Sequence, residues 1–507
     1  MRILGTKFIT SIAATFFFLH QSRCISALHD EDSNLIASED EFNRKETHSI
    51  QKTSNKSHLR KRNVAQTTEW EYETNQRFII KGSRGEKAKK QQIANEVSKT
   101  GGKVVMKLFE NEKDELIVVE IPGKANSQAF QNRMKSFNCK IAVDHMMYPV
   151  SILDSESNKV ERRRSLQQVQ LPWGVDNVFE GIVPTNMPST VSKSICVVDT
   201  GYMDEHPDLP SDITNAHYDT NVDSKDSQGC NFHGTHVSGT IAALKNIAEG
   251  VEGVFPGVSD MHIYKVFVGN KRTCGGAPSS EILRAAIACK DSGAKIIQMS
   301  IGCNNCYDGD LEKGYIDLFE NHGVLIVASA NNSGNSAKSY PASFSGVMSV
   351  ASINSKNQRS SFSQYNDQVD IAAPGEGIMS TYGTSSYSTK TGTSMSAPHV
   401  SGIAALLWNQ YPSCSAVEIR DALQNGAYHP KRVERDDYYG HGILRYHPSR
   451  EILASSCGAT ISPSPTVVPP TTPSPTALPQ FDCGTAANGK ACRQNGCRWN
   501  NKDSICI

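Results

Sequence analysis

One run constrains this chain more than any other. Gly392-Thr393-Ser394-Met395-Ser396-Ala397-Pro398-His399-Val400-Ser401-Gly402 is followed without a break by Ile403, Ala404, Ala405, Leu406, Leu407 and Trp408. A small-residue turn presents one hydroxyl, and the apolar stretch after it reads as a buried helix. Pro398 is expected in the first turn, where its missing N–H costs nothing. Ser394 then stands at the helix's positive end, where free N–H groups favour a developing oxyanion. Alone, Gly-Thr-Ser is an ordinary helix cap; the whole run is rarer.

A nucleophilic serine needs a base, and the base needs an orienting carboxylate. Upstream, Lys193-Ser194-Ile195-Cys196-Val197-Val198-Asp199-Thr200-Gly201 is an apolar run ending in a carboxylate and a turn. It puts Asp199 at the carboxyl end of a strand, where open α/β sheets place their chemistry. His233-Gly234-Thr235-His236-Val237-Ser238-Gly239-Thr240 leads into Ile241, Ala242, Ala243 and Leu244, a second helix. Read singly, Asp199 is a turn former, and His233 with His236 a metal pair. The zinc-protease pattern, however, needs a Glu and a spacing of four. In this order the three segments resemble those of subtilisin-like serine proteases. The resemblance implies Asp199 as orienting acid, His233 as general base and Ser394 as nucleophile. His236 and His399 are expected as structural histidines.

The same resemblance extends to Val324-Leu325-Ile326-Val327-Ala328-Ser329-Ala330-Asn331-Asn332-Ser333-Gly334, a buried strand running into an amide-bearing loop. Matched strand to strand it implies Asn331 as the oxyanion-hole amide, with the Ser394 N–H as second donor. Ala330 then stands where the family has glycine. If that backbone needs positive φ, alanine is strained and Asn332 is the alternative. Ser300, Ile301 and Gly302 resemble the family strand that walls the specificity pocket, and Gly275-Gly276 the edge that pairs with substrate backbone. The pocket positions Ser300, Ile301, Gly302, Asn332 and Ser339 include no carboxylate, so the residue before the cut bond (P1) is expected to be uncharged. Asp208 and Asn246 match ligands of the family's structural calcium. No cofactor is implied for catalysis.

The rest of the chain frames this core. Basic and acidic residues balance at 52 each, and no basic stripe marks a nucleic-acid partner. Residues 1–27 read as a signal peptide, with Arg2 and Lys7 before an apolar stretch too short to span a membrane. The expected localisation is secreted and extracellular, with no membrane anchor. Residues 28–76 form a polar, disordered pro-region carrying the glycosylation sequon Asn55-Lys56-Ser57. Residues 77–150 show the order βαββαβ of a ferredoxin-like module, which resembles the inhibitory propeptide of this family. Residues 151–170 form a processing linker with Arg162-Arg163-Arg164. A separate basic-residue protease is expected to cut after Arg164, or to trim there after self-cleavage nearby.

Residues 171–456 alternate apolar strands with helical patterns, which gives an α/β domain whose parallel sheet is sandwiched by helices. A Pro/Ser/Thr-rich linker, 457–480, fits O-glycosylation. Residues 481–507 form a small disulfide-rich tail stapled by Cys483, Cys492, Cys497 and Cys506. Its Trp499 is either a glycan contact or packing on a disulfide. The eight cysteines from Cys196 to Cys457 fit disulfides of the secretory route, although Cys196 equally fits a buried thiol. The expected function is a secreted serine endopeptidase that hydrolyses protein and peptide substrates and is held as a zymogen by its own propeptide. The alternative is a catalytically idle binding protein with a glycan-binding tail.

Overall fold

The computed structural model describes residues 75–81, 87–110, 115–150, 160–162, 169–185, 187–188, 192–210, 215–218, 230, 232–245, 250–258, 260–267, 274–457, 499–500 and 505–506, all within one compact unit, Glu69–Ile507. The signal peptide, nearly all of the pro-region, Asn246, the Pro/Ser/Thr linker and most of the tail lie outside the described residues.

The first module runs β1 (Asn75–Lys81), α1 (Lys87–Lys99), β2 (Lys103–Leu108), β3 (Leu116–Pro122), α2 (Lys124–Ser136) and β4 (Ile141–Val143). Its sheet is antiparallel, in the order β2-β3-β1-β4. Side chains alternate across a strand, and here both faces are apolar. Phe78, Ile80, Ile117 and Val119 pack on the module's own helices with Ile93, Val97, Phe130 and Met134. Ile79, Leu108, Leu116 and Val118 point the other way and join the core of the following domain. Each such side chain is worth about 1.5–3 kcal/mol when withdrawn from water, so the module is bound by its sheet face. Three short strands follow: β5 (Met146–Pro149), β6 (Val160–Arg162) and β7 (Val169–Gln170).

The second domain opens with α3 (Trp173–Val178), β8 (Ile195–Asp199), β9 (Asn215–Tyr218), α4 (Phe232–Ala242), β10 (Gly250–Val251) and β11 (Met261–Lys265). Next come β12 (Ala277–Pro278), α5 (Ser279–Asp291), β13 (Ile296–Met299), β14 (Ile301–Asn304), α6 (Gly309–Glu320), β15 (Leu325–Ser329) and β16 (Ser339–Tyr340). The domain ends with β17 (Val347–Ile353), β18 (Val369–Pro374), β19 (Ile378–Tyr382), β20 (Ser386–Lys390), α7 (Thr393–Gln410), α8 (Ala416–Asn425) and α9 (Tyr446–Ser456). Seven strands form one parallel sheet, β18-β17-β15-β13-β8-β11-β9.

Continuous apolar strands such as Ile195-Cys196-Val197-Val198 are what a sheet covered on both faces requires. Ile195 and Val197 face one core with residues of α4, α7 and α8. Cys196 and Val198 face the other with residues of α5 and α6. Cys196 pairs with Cys289, joining β8 to α5, so it is not a buried thiol. Cys230–Cys274, Cys303–Cys306 and Cys414–Cys457 are the other disulfides among the described residues. No helix among those residues is long and apolar enough to cross a membrane.

Candidate active site

β8 delivers Asp199 to the carboxyl edge of the sheet, fully buried. Its Oδ1 accepts from Thr200 N at 2.6 Å and from His233 Nδ1 at 2.7 Å. The start of α4 is drawn in because Gly234 N donates to Thr200 Oγ1 at 2.9 Å. A Cβ at Gly234 would come within 2.1 Å of Gly201 O, so only glycine allows that approach. With Nδ1 fixed on the carboxylate, Nε2 of His233 is buried and without a partner among the described residues. This is the tautomer and orientation in which an imidazole can take a proton at Nε2.

Ser394 is the second residue of α7 and is fully buried. Pro398 does not lie in the first turn as expected; α7 begins at Thr393, so the proline is inside the helix. It therefore cannot donate to the carbonyl four residues back, which is that of Ser394. Ser300 Oγ takes over that duty, donating to Ser394 O at 2.8 Å. A buried chain backs it: Gln298 Nε2 donates to Ser300 Oγ at 3.0 Å, and Ser401 Oγ to Gln298 Oε1 at 2.5 Å.

The hydroxyl of Ser394 is not hydrogen-bonded to His233. It donates to the carbonyl of Val150 at 2.9 Å. Val150 follows β5, which is inserted antiparallel between β12 and β14. Met147 pairs with Ala277, Tyr148 with Gly302 and Pro149 with Ile301, and Val150 N donates to Ser300 O at 2.9 Å. The strand that follows the first module is thus laid across the cleft as an added β-strand. Ser300, Ile301 and Gly302 form one side of it. On the other side the ladder runs through Ala277 and Pro278. Gly276 lies alongside, where a Cβ would meet Met147 O at 2.9 Å, and Gly275 precedes it, exposed. Sequence reasoning missed Val150, Ala277 and Pro278, because nothing local marks a strand that pairs only across the chain.

The same module caps the helix beside this cleft. α5 has no side-chain cap of its own. Asp144 supplies one: Oδ1 accepts from Ser280 N and Ser279 Oγ, both at 2.9 Å. Oδ2 accepts from Ser280 Oγ at 2.6 Å and Arg77 Nε at 3.1 Å.

The two loop amides divide their work. The left-handed backbone falls on Asn331, φ 85°, and not on Ala330. Asn331 Nδ2 donates to Asn304 Oδ1 at 3.0 Å and to Ser339 Oγ at 3.2 Å. Asn332 Oδ1 accepts from Thr393 N and Thr393 Oγ1, both at 2.9 Å, next to Ser394.

Neither neighbouring histidine is placed as a metal ligand. His236 Nε2 donates to Ser388 O at 2.9 Å and Ile378 O at 3.1 Å, and burial holds its imidazole down to about 3. Burial likewise lowers His399 to about 4. Asp208 is fully buried; Oδ2 accepts from Tyr387 Oη at 2.7 Å and Val251 N at 3.1 Å, while Oδ1 has no partner among the described residues. That orphaned hard oxygen suits calcium. No group of three His, Cys, Asp or Glu side chains that could hold a metal occurs among the described residues.

Comparison with known proteins agrees with this architecture. Residues 192–442 match the Subtilase family. Thermitase of Thermoactinomyces vulgaris is 39% identical over 266 residues, 52% of this chain and 88% of that protein. Subtilisin BL of Lederbergia lenta is 36% identical over 274 residues, 54% of this chain and 96% of that one. In fold, the chain is similar to the crystal structure of fervidolysin from Fervidobacterium pennivorans, with a TM-score of 0.60 at 23% identity over 75% of this chain and 61% of that one. The chain belongs to the subtilase family and is a serine-type endopeptidase.

Proposed function

We propose that this protein is a secreted endopeptidase made as a zymogen, with Ser394 as nucleophile, His233 as general base and Asp199 as the carboxylate that orients it. The observation that carries the reading is Ser394 Oγ on the carbonyl of Val150, with the strand before it paired on both sides. The chain's own peptide is seated as a substrate is, so the first module is the inhibitor and the Val150–Ser151 bond the first one cut. Ser394 Oγ attacks the Val150 carbonyl carbon as its proton passes to His233 Nε2. The tetrahedral oxyanion collapses to an acyl-enzyme, His233 protonates the departing Ser151 amine, and water then releases Val150. The oxyanion donors are the Ser394 N–H and the amide of Asn332. Asn332 is preferred to Asn331 because Thr393 fixes its Oδ1 beside the nucleophile, whereas the Asn331 amide is engaged by Asn304 and Ser339. Replacing an oxyanion amide by leucine lowers kcat about 10²–10³-fold, so Asn332→Leu is expected to do so and Asn331→Leu is not.

This order of events moves the first cut away from the tribasic run. Arg162 lies on β6, whose backbone pairs with β20, so any trimming near Arg164 follows self-cleavage. Calcium, bound through Asp208 Oδ1 and the Asn246 loop, contributes stability and no chemistry. The reading is tested by secreting wild type and Ser394→Ala from a host lacking dibasic-processing proteases and sequencing the N-termini. An N-terminus at Ser151 in wild type, and uncut chain in Ser394→Ala, is expected. A first cut after Arg164 in both refutes it.

A further inference from the structure

We infer that the P1 pocket of this enzyme is closed at its far end by a hydrogen-bonded cluster of Asn304, Asn331 and Ser339, and that it takes short or β-branched aliphatic side chains and turns away long and aromatic ones. The inference rests on the reading of Val150 as the P1 residue.

Three observations converge on Gly302. A Cβ built there would stand 3.1 Å from Val150 Cγ2, 2.8 Å from Ser339 Oγ and 3.1 Å from Asn331 Nδ2. The P1 side chain, the serine and the amide therefore meet around one point, and only glycine leaves space for all three. Asn331 Nδ2 donates to Ser339 Oγ at 3.2 Å and to Asn304 Oδ1 at 3.0 Å, tying both walls of the pocket together. The walls are themselves paired, because β14 and β16 align Asn304 with Ser339. The Cys303–Cys306 disulfide brackets Asn304, and Asn304 Nδ2 also donates to Ser333 Oγ at 3.1 Å. Ser339 is 1% exposed and Val150 3%, so the valine fills the space the cluster leaves.

A longer P1 residue has to push into this cluster. Doing so breaks the hydrogen bond from half-buried Asn331 to Ser339 and leaves the buried Ser339 hydroxyl unpaired, a cost that falls on the large substrate and not on valine. An arginine meets the same barrier and finds only uncharged groups. The P4 residue, Met147, is fully buried in the core shared with α5 and α6, so an apolar residue there is the second requirement. The substrate class is thus an extended peptide with an apolar residue at P4 and valine or alanine at P1.

The test uses mature enzyme and the peptides succinyl-Met-Tyr-Pro-Xaa-p-nitroanilide with Xaa Val, Ala, Leu, Phe or Arg, active sites being counted by fluorophosphonate labelling. Wild type is expected to show kcat/KM for Val or Ala about tenfold or more above Phe. Asn331→Gly/Ser339→Gly removes the cluster; glycine accepts the left-handed φ of Asn331 without strain. In that variant the Phe-to-Val ratio is expected to rise at least about tenfold. A labelled wild type that prefers Phe, or a labelled variant with an unchanged ratio, overturns the inference and leaves the endopeptidase reading intact. If the variant fails to mature, the wild-type ranking alone decides. Absence of both label and turnover overturns the endopeptidase reading itself.

Discussion

Replacing Ser300 by alanine tests the buried network under Ser394. The hydroxyl donates to Ser394 O and accepts from Gln298 Nε2, and all three residues are fully buried. Alanine leaves two buried polar groups without partners, the Ser394 carbonyl and one N–H of Gln298. Each costs about 1–3 kcal/mol. The expected destabilisation is about 2–4 kcal/mol, because Gln298 keeps its bond from Ser401. The carbonyl is vulnerable only because Pro398 cannot serve it, and this makes the reasoning testable by a cycle. Pro398→Ala returns an N–H four residues on, so in that background Ser300→Ala orphans one group instead of two. Its cost should then fall by about 1–2 kcal/mol. The assay is urea unfolding of the full chain in a Ser394→Ala background, which prevents self-digestion and retains the backbone carbonyl, with refolding checked for reversibility. If the two costs agree to within about 0.5 kcal/mol, the sites are independent and the argument fails.

Three further outcomes follow from particular contacts. His236→Gln keeps a donor for Ser388 O and Ile378 O but removes a buried imidazole held near 3. Native His236 stays neutral while the unfolded chain takes up a proton below about 6.5, so stability present above that pH is lost as pH falls toward 3. Wild type should therefore lose about 1.4 kcal/mol per pH unit more than the variant between about pH 6 and 4; parallel urea-stability curves would refute this. Asp144→Ala removes the borrowed cap of α5 and one of the two carboxylates on Arg77, Glu281 being the other, so the isolated first module should inhibit mature enzyme at least about tenfold more weakly. An unchanged inhibition constant counts against that contact. Calcium should raise the melting temperature of wild type above its value in EDTA by mass action, and Asp208→Asn should reduce the shift; equal shifts exclude Asp208 as a ligand.

What could be read in the sequence was what is written locally. The places of Asp199 at a strand end, His233 at a helix start and Ser394 before an apolar run are each set by a few neighbouring residues. The sheet was legible for the same reason, since runs such as Ile195-Cys196-Val197-Val198 suit only a layer covered on both faces. The misplaced features depend on partners far along the chain. α7 begins at Thr393 because Asn332 accepts from its N–H, a cap 61 residues away that no local pattern announces. That start puts Pro398 inside the helix. The positive φ falls on Asn331 and not on Ala330, in a region that asparagine tolerates better than alanine, and the proposed preference for Asn332 rests on Thr393, 61 residues further along the chain. The Val150 carbonyl lay furthest from view, 244 residues from the hydroxyl that reaches it.

One residue joins both sides of the proposed reaction. Ser300 stands just past the end of β13, a strand near the middle of the parallel sheet. Its carbonyl accepts from Val150 N at 2.9 Å, and its hydroxyl donates to Ser394 O at 2.8 Å. The peptide to be cut and the helix turn that bears the nucleophile are therefore positioned from a single point. Their separation inherits the rigidity of that strand, paired on one side with β8 and on the other with β15. Because β8 also carries Asp199, the carboxylate that orients His233 is fixed to the same strands. Orientation held in this way lowers the barrier most when no element has to move as the bond forms. The proline inside α7 serves this arrangement. By freeing the Ser394 carbonyl from its own helix, it lets the sheet hold the nucleophile's backbone.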